Sequence, residues 1–127
     1  MTENEIASII VDTAYHIHQR LGPGLLESAY QTVMLHEIRK RGLRVADEVA
    51  IPIQYDDLIL ETAFRADFIV EDKVIVELKS VERTLPVHKK QLLTYLRLTG
   101  TQLGLLINFG EYLIKNGITR VVNGLQE

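Results

Sequence analysis

The apolar positions of the N-terminal segment fall on one helical face. Thr2 with Glu5 three residues later has the form of a capping box, and Ile6, Ile9, Ile10, Ile17 and Leu21 follow at helical spacing toward a Gly22 stop. Pro23 and Gly24 break the chain, after which Leu26, Ala29, Tyr30, Val33 and Ile38 trace the face of a second helix. Its end, Arg39-Lys40-Arg41-Gly42, puts bases at the negative end of the helix dipole and a glycine at the stop. From Leu43 to Val81 the period shortens and β-branched and aromatic residues take over, with breaks near Asp56-Asp57 and at Glu71-Asp72-Lys73. This predicts three strands in a meander, with Pro52 on an edge or at a bulge because it cannot donate to a ladder. A third helix is expected from about Pro86 through Leu92, Leu93 and Leu96 to Gly100, followed by a buried-type strand from Leu103 to Asn108. Asn116-Gly117, between Tyr112-Leu113-Ile114 and Ile118-Val121-Val122, predicts a closing hairpin. The expected class is α/β (α+β), in the order ααβββαβ(ββ).

Composition narrows the possibilities. Of 127 residues, 46% are hydrophobic and 24% charged, a balance that buries roughly two-thirds of the unfolded surface in one core. Residues 1–127 are therefore expected to form a single domain. The chain has no cysteine, which excludes disulfides, thiolate zinc sites and a cysteine nucleophile, and fits a reducing cytoplasm. No apolar run approaches the roughly 20 residues of a membrane span, and Glu3 and Glu5 stand where a secretory signal carries bases. A cytoplasmic protein with no membrane partner is the expectation. His16, His18, His36 and His88 lack metal-ligand spacing, and neither a nucleophile elbow nor a Gly-rich phosphate loop is present.

Net charge is -3, which does not announce a nucleic-acid binder. Its distribution is uneven. Eight acids face two bases between Leu43 and Asp72, whereas five bases face one acid between Lys79 and Arg97. That asymmetry sets a carboxylate cluster beside a surface suited to a polyanion, although scattered charges also describe a solvated face.

Three constellations carry candidate chemistry. Glu77 and Lys79, two apart on a strand, share one face. With a three-residue turn at Glu71-Asp72-Lys73, Val70 pairs with Val74 and Asp67 comes opposite Glu77. Opposed carboxylates repel unless one is protonated or a cation lies between them, and all-oxygen ligands favour Mg²⁺ or Mn²⁺ over zinc. A two-residue turn would send the two acids to opposite faces, and the spacing also suits an ordinary solvated hairpin. Glu27 and Tyr30 are helical neighbours behind Gly24; the helix dipole and core packing explain them equally well. Gln91 and Tyr95 share a helix face behind Lys89 and Lys90, either meeting phosphates or marking the margin of an apolar face.

Taken in order, GLLESAY from Gly24 to Tyr30, ADF around Asp67, VELKSVERTLPVHKKQLLTYLRLTG from Val76 to Gly100 and LGLLINFG from Leu103 to Gly110 resemble the GxxExxY proteins. These are a small branch of the PD-(D/E)XK nuclease-like superfamily. The resemblance implies a restriction-endonuclease-like core, a central mixed β-sheet flanked by helices. It implies that Asp67, Glu77 and Lys79 form the metal and catalytic triplet, that Glu27 is the helical acid assisting the metal, and that Gln91 and Tyr95 match a Q-x-x-x-Y pair. Ala66 stands where the superfamily name places proline, a departure that removes no ligand.

The expected function is thus Mg²⁺-dependent (or Mn²⁺-dependent) phosphodiester hydrolysis of nucleic acid. Asp67, Glu77, the Leu78 carbonyl and Glu27 would hold the metal, Lys79 would orient water or stabilise charge, and Gln91, Tyr95, Lys89, Lys90 and Tyr30 would bind substrate. The alternative is a non-catalytic module of the same fold, used for assembly or partner binding, and a small phosphoester substrate would use the same site. A homo-oligomer, most simply a dimer, is expected from the small size and from apolar residues at Leu113, Ile114, Val121 and Val122.

Overall fold

In a computed structural model, which describes residues 1–126, helix α1 spans Glu3–Leu21 and α2 spans Glu27–Lys40. Strands β1 (Val45–Tyr55), β2 (Leu58–Val70) and β3 (Val74–Lys79) follow, then α3 (Pro86–Thr99), β4 (Leu103–Asn108), a 3₁₀ turn (Ile114–Asn116) and β5 (Ile118–Val122). The expected capping box forms at one of its two bonds to the backbone: Thr2 Oγ1 accepts Glu5 N–H at 3.2 Å. Gly100 ends α3 in the left-handed conformation.

The five strands form one mixed sheet in the order β1-β2-β3-β4-β5. Only β3 and β4 run parallel, joined by the α3 crossover; the other neighbours are antiparallel. Alternation along β3 sorts the core into two layers. Val74, Val76 and Leu78 pack with Leu103, Leu105 and Ile107 against α1 and α2, whereas Ile75 packs with Leu106, Leu92 and Leu96 of α3. The fold class expected from the sequence is therefore present, a mixed sheet covered by helices on both faces.

Pro52 lies in edge strand β1 at the point where the β1–β2 register shifts, between Ile51 and Ile53, in keeping with its missing N–H. The turn after β2 has Glu71 and Asp72 at positive φ and closes with Lys73 N–H on Val70 O at 3.0 Å. Val70 then pairs with Val74, which is the register that a three-residue turn predicts.

The hairpin expected at Asn116-Gly117 is corrected. Leu113 has no strand partner, residues 114–116 make a 3₁₀ turn, and β5 pairs with β4 instead. Gly117 is required by close approach, since a Cβ there would lie 2.3 Å from Asn108 O. Ile114 and Val121 are buried, whereas Leu113 and Val122 are exposed, so two of the four apolar residues that motivated self-association are already covered within the chain. No helix among the described residues is long and apolar enough to cross a membrane.

Candidate active site

The β2–β3 ladder stops at Phe68–Val76. Beyond it the carboxylates take over the backbone's partners: Leu78 N–H donates to Asp67 Oδ2 at 2.8 Å, and Asp67 N–H donates to Glu77 Oε1 at 3.3 Å. The strands are thereby held together by side chains where the sheet begins to splay. A change of face accompanies this. Phe68 and Val70 pack toward α1 and α2, whereas Phe64 and Ala66 pack toward α3. The switch falls at Asp67, opposite Glu48, which sits at φ 49° between the Asp47–Phe68 and Val49–Ala66 pairs. Such a local distortion re-aims a side chain out of the pleat.

Both acids are half-buried. Burial raises the pKa of Glu77, the Asp67 charge raises it further, and the result is about 8, although Asp67 N–H and the Lys79 charge act in the opposite direction. Asp67 is also raised, first by burial; the Leu78 N–H opposes this, and the charges of Glu27 and Glu48 add to it. Loss of water outweighs like-charge repulsion for both. Near neutral pH the pair therefore holds a proton in the absence of a cation.

Lys79 is half-buried beside them and acts electrostatically on Glu77 and His88. Tyr95 stacks on Phe64 with ring centroids 3.9 Å apart, and its phenol is raised by burial, then by the Glu77 and Asp67 charges. Gln91, Lys89 and Lys90 are exposed on α3.

Two expected site residues differ in how they stand to the pair. Glu27 begins α2 with an exposed side chain whose charge reaches Asp67. Tyr30 is buried, donates its hydroxyl to Gly22 O and accepts Leu25 N–H, and stacks on Phe109 at 4.5 Å. Both hydrogen-bonding roles of the hydroxyl are used, so Tyr30 shapes the loop in front of α2 and offers nothing to a substrate.

Two neighbours were not legible in the sequence. Glu48 enters the field of Asp67 only through the β1–β2 register. His88 was set aside for lack of ligand spacing, yet it lies at the start of α3 under the influence of Lys79. Its Nδ1 accepts Leu85 N–H at 3.1 Å, which leaves any ring proton of the neutral form on Nε2. Burial and the Lys79 charge hold it below the ordinary imidazole range.

The loop after Lys79 is clamped by Asn108, which is fully buried. Its Oδ1 accepts Val81 N–H and Gly110 N–H, each at 3.0 Å, and its Nδ2 donates to Thr84 Oγ1 at 3.1 Å. A Cβ at Gly110 would lie 2.2 Å from Val81 O, so only glycine lets the two segments meet. Asn108→Ala leaves several buried groups unsatisfied, and urea titration should show a loss of about 2 to 3 kcal/mol.

Among the described residues, no group of three or more His, Asp or Glu side chains is gathered tightly enough to cage a metal. A Mg²⁺ ion, however, takes one or two carboxylates and completes its shell with water and phosphate oxygens. The Asp67–Glu77 pair fits that demand, and its retained proton marks the charge that a cation would replace.

The sequence profile of the PD-(D/E)XK nuclease superfamily matches residues 4–121. No curated protein and no solved structure matches the chain. The match spans nearly the whole sequence, and the chain belongs to that superfamily.

Proposed function

We propose that this superfamily member is a Mg²⁺- or Mn²⁺-dependent nuclease of the GxxExxY branch, hydrolysing phosphodiesters at Asp67, Glu77 and Lys79. The carrying observation is the half-buried carboxylate pair, bound across the splayed end of β2 and β3 with a lysine beside it. Asp67, Glu77 and the Leu78 carbonyl would hold the cation, which when bound would polarise the scissile phosphate and acidify a water.

The chain's own groups do the rest. Leu78 N–H fixes the Asp67 carboxylate through Oδ2 and holds it hydrogen-bonded beside Glu77, the pairing that a bound cation would take over. Lys79 places a positive charge next to Glu77, where it can meet the charge that develops on the phosphate oxygens. Tyr95, anchored by Phe64, borders the pair, while Gln91, Lys89 and Lys90 offer contacts to the backbone of a polyanion. Glu27 adds negative potential at the rim, a supporting role in place of the ligand role expected for it.

The test is a Mg²⁺ and Mn²⁺ titration of wild-type protein on labelled single-stranded, duplex and branched substrates. Cation-dependent cleavage is expected. Binding without cleavage under every condition would transfer the reading to a non-catalytic module, and cleavage of mononucleotide esters alone would transfer it to a small phosphoester substrate.

A further inference from the structure

Apolar side chains stand where a phosphoester site would be expected to present polar ones. Leu26, immediately before Glu27, is 77% exposed, Leu25 is 43% exposed and Val81 is 40% exposed. They belong to two loops that are tied together, because Ser80 Oγ donates to Leu25 O at 2.6 Å. Each loop is also gripped from behind, the first by Tyr30 at Gly22 and Leu25 and the second by Asn108 at Val81. The three side chains are therefore displayed on fixed backbone within two residues of Glu27 and Lys79. An isolated exposed leucine needs no explanation; a fixed apolar rim at a site that handles phosphate does.

Charge around the site is uneven. On the α3 side, Arg83, Lys89 and Lys90 are exposed beside the single acid Glu82. On the other side, β1, its turn and the adjoining part of β2 carry Asp47, Glu48, Asp56, Asp57 and Glu61, and the nearby bases, Arg39 paired with Asp47 at 3.8 Å and Arg65 donating to Glu48 O at 3.4 Å, leave the acids in excess. A duplex brings two phosphate backbones and keeps its bases stacked inside. One backbone would meet the bases of α3, the second would face the acids, and the leucines would lie against sugar and phosphate. A single strand has one backbone and can turn a base outward onto an apolar surface.

We propose that the strand this site receives is unpaired, with a nucleobase laid on Leu25, Leu26 and Val81 while its phosphates meet Arg83, Lys89 and Lys90. The proposal rests on the nuclease reading and narrows its substrate class to a single-stranded or splayed polynucleotide.

The experiment is fluorescence anisotropy with a labelled oligothymidylate, its RNA counterpart, and the same DNA strand annealed to its complement, using wild-type protein and the Leu26→Ser and Leu26→Ser/Val81→Ser variants. Leu98→Ser, an exposed leucine near the end of α3, is the control. Wild type should bind the single strand about tenfold more tightly than the duplex. The double variant should lose about tenfold on the single strand, with duplex binding and thermal midpoint unchanged. Equal binding of both forms, no binding of either, or loss with Leu98→Ser as large as with Leu26→Ser would overturn the proposal. Cleavage assays on the same substrates separate the two ideas. Preferential single-strand binding without cleavage defeats the nuclease reading alone, whereas duplex cleavage that is indifferent to the leucine variants defeats this proposal alone.

Discussion

Lys79→Ala and Asp67→Asn should each lower cation-supported phosphodiester cleavage by at least about a hundredfold, with the fold intact. The magnitude follows from what each removes. Lys79 is the cation beside Glu77, and deleting one preorganised group that stabilises transition-state charge typically costs about 10² to 10³ in rate. Asp67→Asn keeps shape and an oxygen to accept Leu78 N–H, but it loses the charge on which a hard cation depends. Because burial already penalises that charge, the asparagine variant should melt no lower than wild type. A rate defect without a stability defect distinguishes a chemical role from a structural one. Either variant retaining wild-type cleavage would remove these residues from the mechanism. Lys79→Arg should not restore activity fully, since a planar guanidinium cannot occupy the volume of a compact ammonium.

The parts of this fold that could be read ahead are those written in local chemistry. The Thr2 cap, the Pro86 and Gly100 limits of α3, and the Glu71-Asp72-Lys73 turn each depend on a few adjacent residues. The turn matters most, because its length alone decided whether Asp67 and Glu77 would meet. What could not be read depends on distant approach. Asn116-Gly117 has the form of a hairpin turn, yet Gly117 serves to let Asn108 pass close by, and Ile114 is drawn into the core beside α1. Tyr30, beside Glu27 on its helix, is claimed by Gly22 and Leu25 in the loop before it. Glu48 and His88 become neighbours of the site only once β1 is registered on β2 and α3 is docked. The reach of Glu27 falls between these cases: the sequence places it at the head of α2, and the docking of α2 on the sheet brings its exposed carboxylate near enough to raise Asp67.

The proton on the carboxylate pair yields the other large effect, a stability that falls as pH rises. Glu77 has its folded pKa raised from 4.5 to about 8. Between those values the folded state holds a proton that the unfolded chain has released, so the contribution is full below about 4.5 and is lost as pH climbs through about 8. Asp67 shifts in the same direction. Glu71 runs opposite: the Arg44 backbone N–H holds it low, so its contribution is lost only as pH falls into the acid range. The unfolding free energy of wild type from urea titration should therefore decline from about pH 5 to pH 8, by an amount on the order of a few kcal/mol. Glu77→Gln should flatten that decline. A divalent cation should reverse it, because a ligand that requires the ionised pair competes with the proton and gains as the proton leaves. At pH 8, free Mg²⁺ or Mn²⁺ at 100 times its dissociation constant adds about 2.7 kcal/mol, a rise of about 10 °C in the melting midpoint for a chain of this size. At pH 5.5 the same concentration should do markedly less, and Glu77→Gln should not respond at either pH. A wild-type midpoint that ignores both pH and metal would mean that the pair is an ordinary solvated hairpin contact, and the metal-site reading would fall with it.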